Sequence, residues 1–111
     1  MNAISLMNWV DVGHTSDIPH QGARRIETDM GAIAVFCTVD HEYYAVMDKC
    51  PHKGGPLSEG IVHGRSIACP LHNWSISLQS GEAQGVDAGK GCAPPVPLKV
   101  ENGQIFLSLP V

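Results

Sequence analysis

Two pairs of metal-binding side chains, Cys50-x-His52 and Cys69-x-x-His72, are separated by sixteen residues in a chain of 111. Four thiol and imidazole donors at two short spacings restrict the fold to one that brings two separate loops to the same point. Turn-capable sequence follows each box: Lys53-Gly54-Gly55-Pro56 after the first and Asn73-Trp74 after the second. Each loop therefore offers one thiolate and one imidazole from a tight bend.

The rest of the chain reads as strands. Runs rich in Val, Ile, Phe and Tyr at 8–12, 23–28, 32–39, 43–48, 65–70, 75–78, 96–101 and 104–109 alternate with the turn segments TDMG, VDHE, SGEAQG and ENGQ. ENGQ, centred on Asn102-Gly103, predicts a hairpin. One helical turn is expected after Thr15, with Thr15 or Ser16 as its cap. Residues 88–97, AGKGCAPPVP, read as a loop too rich in Gly and Pro for regular structure. Many short strands at this spacing predict an all-β sandwich or barrel. The length suits one domain, 1–111, with the metal-binding segment at about 48–78.

Composition narrows the function. Hydrophobic residues make up 43% and charged residues 16%, enough for a packed core. Aromatics are only 5%, which leaves most packing to small aliphatic side chains. The formal charge is −4 with no basic block, which argues against nucleic acid as a partner. The start, MNAISLMNWV, lacks the basic and apolar regions of a secretory signal, and no apolar run is long enough to span a bilayer. The chain is expected to be cytoplasmic, with no membrane partner and with reduced thiols. Clustered Cys then points to metal chemistry rather than disulfides.

Several centres suit such donors. Zinc takes Cys₂His₂ sets, but its usual short spacings are C-x₂₋₄-C and H-x₃₋₅-H, and a zinc-stabilised interaction module stays open as a reading. A catalytic Cys–His pair lacks an orienting third group. A dinuclear iron–sulfur cluster accounts for the mixing, because one iron takes both thiolates and the other both imidazoles. Cys37, in an apolar run, is expected in the core. Cys92, in the GKGC loop, is read as structural. His14, His20, His41 and His63 are read as surface or turn residues.

The motif from Cys50 to His72, including CPLH at 69–72, resembles the Rieske iron–sulfur family. That resemblance implies a Rieske-type antiparallel β fold with a small cluster-binding subdomain formed by two ligand loops. It implies one 2Fe-2S cluster held by Cys50, His52, Cys69 and His72, with Gly54, Gly55, Pro56, Leu71 and Trp74 around it. Gly54 and Gly55 are expected to let backbone N–H groups approach the sulfides, and Leu71 and Trp74 to shield the inner iron. Imidazole ligation raises the potential of such a centre from about −400 mV into a window of about −150 to +300 mV. Respiratory members carry a disulfide where this chain has Gly55 and Leu71, and a Ser where it has Trp74. Both departures imply the lower part of that window. With every coordination position filled by protein, the cluster passes single electrons and catalysis belongs to a partner.

The text from Cys50 to Leu107 further resembles the small subunit of assimilatory NAD(P)H nitrite reductase, including Asn73 and the stretch GCAPPVPLKVENGQIFL. That implies a large partner subunit with FAD and sirohaem. The alternative is a stand-alone Rieske ferredoxin serving an aromatic-ring-hydroxylating oxygenase.

Overall fold

The computed structural model describes residues 7–50, 54–70 and 74–110. Among these are ten strands in three antiparallel sheets, a few single 3-10 turns and no α-helix. The strands are β1 (Met7–His14), β2 (Gly22–Thr28), β3 (Gly31–Cys37), β4 (Tyr43–Met47) and β5 (Ile61–His63). They continue with β6 (Ser66–Ala68), β7 (Ser75–Ser77), β8 (Pro95–Val96), β9 (Leu98–Glu101) and β10 (Gln104–Pro110). One sheet has the order β1-β10-β9, a second β2-β3-β4-β8 and a third, small one β5-β6-β7. The all-β expectation therefore holds.

β3 explains how these sheets stack. Every residue from Ile33 to Cys37 is buried. Side chains alternate across a strand, so Ile33, Val35 and Cys37 pack with Ile105, Leu107 and Leu109 of β10. Ala34 and Phe36 point the other way, into a second apolar cluster with Leu57, Val62, Ile67 and Ile76 around the small sheet. A middle sheet covered on both faces needs an uninterrupted apolar strand rather than an alternating one.

Turn chemistry follows the sequence. Asn102 and Gly103 have φ of 51° and 81°, the two left-handed residues of a type I′ hairpin, and join β9 to β10 with Glu101 opposite Gln104. The 3-10 turn at Thr15–Asp17 is present, but its cap is His14 rather than Thr15 or Ser16. His14 Nδ1 accepts from the Ser16 N–H at 3.1 Å, and the Asp17 carboxylate accepts from the His14 N–H at 2.9 Å. An imidazole acceptor at that site does the work of the usual hydroxyl.

Two strands depart from the sequence expectation. β5 was not expected; it is three residues long, and only Val62 faces inward. β8 begins inside the stretch 88–97 read as a loop and takes in Val96, the first residue of the run 96–101 read as one strand, which Pro97 divides between β8 and β9; Pro95 and Val96 pair with Val46 and Ala45. Proline is tolerated there because β8 is a sheet edge, so no ladder donor is missing on its open side. The chain crosses from the second sheet to the first at Pro97, whose carbonyl accepts from Ser108 N at 3.0 Å. The whole of 48–94 leaves the middle sheet after β4 and returns at β8, where Met47 N donates to Pro94 O at 2.9 Å.

Candidate metal centre

Cys50 and Cys69 occupy equivalent places. The first loop leaves the end of β4; Cys50 N donates to Gly55 O at 2.8 Å, and Gly54 N donates to Cys50 O at 2.8 Å. The second joins β6 to β7, and Cys69 N donates to Trp74 O at 2.7 Å. Both are closed across a six-residue span that starts on the cysteine. Cys50 is 1% exposed and Cys69 0%, and neither is in a disulfide. Both belong to the apolar cluster on the Ala34–Phe36 side of the middle sheet, with Leu57 and Ile67 fully buried beside them and Trp74 and Tyr44 packed at its border.

His52, Leu71 and His72 lie outside the described residues. Of the remaining expected site residues, Gly54 is exposed with φ of 73°, Gly55 is buried, and Pro56 and Trp74 are half-buried. The Gly54 N–H is already used by Cys50 O, which makes that residue part of a tight turn. Cys37 is buried on the opposite face of β3, away from the Cys50–Cys69 cluster, as expected of a core residue. Cys92 is exposed, and its Sγ lies 3.6 Å from Ser80 O. His14, His20, His41 and His63 are exposed; His20 and His41 stack with centroids 4.5 Å apart.

The first loop also has an outer tie with no local signature in the sequence. Asp48, two residues before Cys50, accepts hydrogen bonds from Ser58 in the 3-10 turn Leu57–Glu59. A ten-residue separation and two common residue types leave nothing for motif inspection to find.

The small sheet is fastened to the middle one by polar contacts. Gln21 Nε2 donates to Val62 O at 3.1 Å. Arg65, in the β5–β6 turn, donates from Nε and Nη2 to the Glu42 carboxylate at 2.7 and 3.1 Å. The hydrogen bond from Arg65, helped by its charge and opposed by partial desolvation, holds the Glu42 carboxyl below its ordinary value. A carboxyl depressed in the folded state stabilises fully above its unfolded value, about 4.3, and loses that contribution as pH falls through the folded value. Arg65→Met should therefore show its stability deficit at pH 6 and converge with the wild type in strong acid. Urea unfolding at a series of pH values checks this, and a deficit independent of pH would count against it.

Two buried thiols at equivalent loop bases, each followed within three residues by a histidine in sequence, form a donor set suited to the buried, sulfur-ligated end of a metal centre. The sequence profile of the Rieske [2Fe-2S] domain matches residues 8–99. The chain belongs to the Rieske family. Its cofactor is one Rieske-type [2Fe-2S] cluster, and the buried thiol pair fits the inner half of such a centre. This Rieske chain is 36% identical over 105 residues to the 3-phenylpropionate/cinnamic acid dioxygenase ferredoxin subunit of Shigella flexneri serotype 5b, covering 94% of this chain and 96% of that protein. It is 30% identical over 102 residues to the ferredoxin component of naphthalene 1,2-dioxygenase/salicylate 5-hydroxylase systems of a Ralstonia species, covering 92% and 96%. Its fold matches a protein described as an NADH-dependent nitrite reductase small subunit from Mycobacterium tuberculosis, with a TM-score of 0.82, 21% identity and coverage of 95% and 97%.

The Rieske assignment makes the chain an electron-transfer protein of ferredoxin type, and proteins of this family partner with other redox proteins. The zinc-module reading is set aside by the family match. Both sequence relatives favour the ferredoxin alternative over the nitrite reductase reading, which shares the fold at lower identity. No helix among the described residues is long and apolar enough to cross a membrane.

Proposed function

We propose that this chain is the Rieske ferredoxin of an aromatic-ring-hydroxylating dioxygenase system, passing electrons singly to the terminal oxygenase. The observation that carries the reading is the likeness, end to end, to a dioxygenase ferredoxin subunit of nearly the same length. The proposal takes 1–111 as one Rieske-type unit and assigns Cys50 and Cys69 to one iron and His52 and His72 to the other. The cluster supplies one-electron chemistry when bound. What the chain does is mechanical and dielectric. Phe36, Leu57, Ile67 and Ile76 keep water from the thiolate end, and the Cys50 N and Cys69 N hydrogen bonds hold the two loop bases in matching bends. His52 and His72, at the loop tips in sequence, are the proposed exit for the electron.

The nitrite reductase reading rests on local text, Asn73 and the GCAPPVPLKV stretch, and one experiment separates the two. The protein is reduced anaerobically and mixed, in separate cuvettes, with an aromatic-ring oxygenase and with a sirohaem–FAD nitrite reductase large subunit. Rapid anaerobic reoxidation by the oxygenase, with hydroxylated product formed on an aromatic substrate once dioxygen is admitted, is the expected result. Reoxidation only by the sirohaem enzyme, with ammonium formed from nitrite, would overturn the proposal in favour of the second reading.

A further inference from the structure

Asp48 is the one charged residue that is buried among those described, and its side chain is 0% exposed. Enclosing a carboxylate is unfavourable unless strong donors replace its water. Three do so: Ser58 N donates to Oδ1 at 2.7 Å, Ser58 Oγ to Oδ2 at 2.6 Å, and Arg25 Nη1 to Oδ2 at 3.3 Å. The two serine contacts are short, charge-assisted bonds, the stronger class. Arg25 is half exposed and shared with Glu27 at 2.8 Å, so it offsets the charge only in part.

The position of this group matters more than its strength. Asp48 N donates to Ala32 O at 2.9 Å, which sets the carboxylate at the end of the β3–β4 ladder. Ser58 lies beyond the far end of the first ligand loop, next to Leu57, which is fully buried in the same cluster as Cys50. The carboxylate therefore spans the mouth of the loop and grips the returning chain by both backbone and hydroxyl. An apolar residue could fill the space but could not hold Ser58. Two residues of chain reach no more than about 7 Å between Cα atoms, which places Asp48 within about one Debye length, ~8 Å, of the Cys50 backbone.

We propose that Asp48 is a positioning residue for the cluster: it clamps the first ligand loop through Ser58 and sets a fixed negative charge beside the thiolate end, which disfavours adding an electron. This deepens the proposed function and rests on its ligand assignment. Ser58→Ala removes one donor and leaves the charge in place. Asp48→Asn keeps the shape, removes the charge and sets an amide N–H where the carboxylate accepted from both Ser58 Oγ and Arg25 Nη1. Asp29→Asn, in the exposed β2–β3 turn, is the control.

The full chain and its variants are reconstituted anaerobically with iron and sulfide. Loss of visible absorbance in excess chelator is timed, and the reduction potential is titrated. Ser58→Ala is expected to lose its cluster about tenfold faster than wild type, and Asp48→Asn about a hundredfold faster, the effects of one and of several charge-assisted hydrogen bonds. The potential of Asp48→Asn should also rise above that of Ser58→Ala, which loosens the same loop but keeps the charge, while Asp29→Asn matches wild type in both measurements. Wild-type loss rates in the two clamp variants, or an Asp48→Asn potential at or below the wild type's, overturn the proposal. If Asp48→Asn does not fold, the loss rate of Ser58→Ala decides alone. A wild type that takes up no iron brings down the ligand assignment itself, a failure visible before any variant is compared.

Discussion

Cys69→Ala is expected to purify colourless, with iron at background after anaerobic reconstitution, whereas Cys37→Ala and Cys92→Ala take up as much iron as the wild type. The contrast is the point. None of the four cysteines is in a disulfide, and Cys37 is as buried as Cys50 and Cys69, so burial alone does not select the ligands. The face of the middle sheet does: Cys37 sits with β10 in one apolar cluster, and Cys50 and Cys69 sit together in the other. If the Cys69 thiolate is lost, the described residues packed in its cluster, Leu57, Ile67 and Ile76, offer no replacement donor. Metal binding and folding are coupled in small sites of this kind, so the apoprotein should also unfold at lower denaturant. Elemental analysis, the visible spectrum and an electron spin resonance spectrum of the reduced protein check the result. Full iron in Cys69→Ala, or stoichiometric zinc in place of iron in the wild type, would sink the ligand assignment.

Gly81→Ala should be the most damaging change of a single small residue away from that centre. Gly81 has φ of 76°, and an added Cβ would be forced onto the Ala93 carbonyl, which belongs to rigid backbone rather than a flexible tip. The close approach is held from both sides: Gly81 N donates to Ser77 O at 2.7 Å, and Ala93 N donates to Gly81 O at 2.6 Å. The substitution must break one of these bonds and pull buried Ala83 and Ala93 out of the cluster around the thiols. The expected loss is at least about 3 kcal/mol, a large share of the ~5–15 kcal/mol that a domain of this size holds. Gly64→Ala is the matched comparison. Its φ is 58° but nothing lies within 4 Å of an added Cβ, so only backbone strain remains, about 1 kcal/mol. Thermal unfolding of the two variants should separate by several degrees. Equal losses would mean that the contact with Ala93 yields easily and that conformation alone sets the effect.

The parts that were legible in the sequence are those where chemistry or periodicity is concentrated locally. The two Cys–His boxes announce a centre because four uncommon donors recur at short spacing. The run from Ala32 to Cys37 announces a strand covered on both sides, and Asn102-Gly103 announces its hairpin because both residues tolerate positive φ. What stayed hidden is decided by distant partners. β5 and β8 are strands only because β6 and β4 lie beside them, and three or two residues carry no period of their own. The cap at His14 depends on a ring nitrogen that happens to reach Ser16. Asp48 and Ser58 look like ordinary surface residues until the chain returns. The choice of partner shows the same limit at the level of function. Local wording near the ligands suggested a nitrite reductase subunit, whereas identity spread over nearly the whole chain lies with dioxygenase ferredoxins.

The return of the chain at Pro95 has a further consequence. Residues 48–94 begin and end side by side, pinned where Met47 meets Pro94 and where β4 meets β8. They form an exchangeable cassette in a framework built from the remaining strands. A chimera that carries the corresponding cassette of another family member needs matching geometry at that narrow seam, on the Ala34–Phe36 floor, and at the polar ties Gln21–Val62, Glu42–Arg65 and Arg25–Asp48. Redox tuning and framework stability can then be inherited from different parents, with Phe36 as the residue on which both must agree.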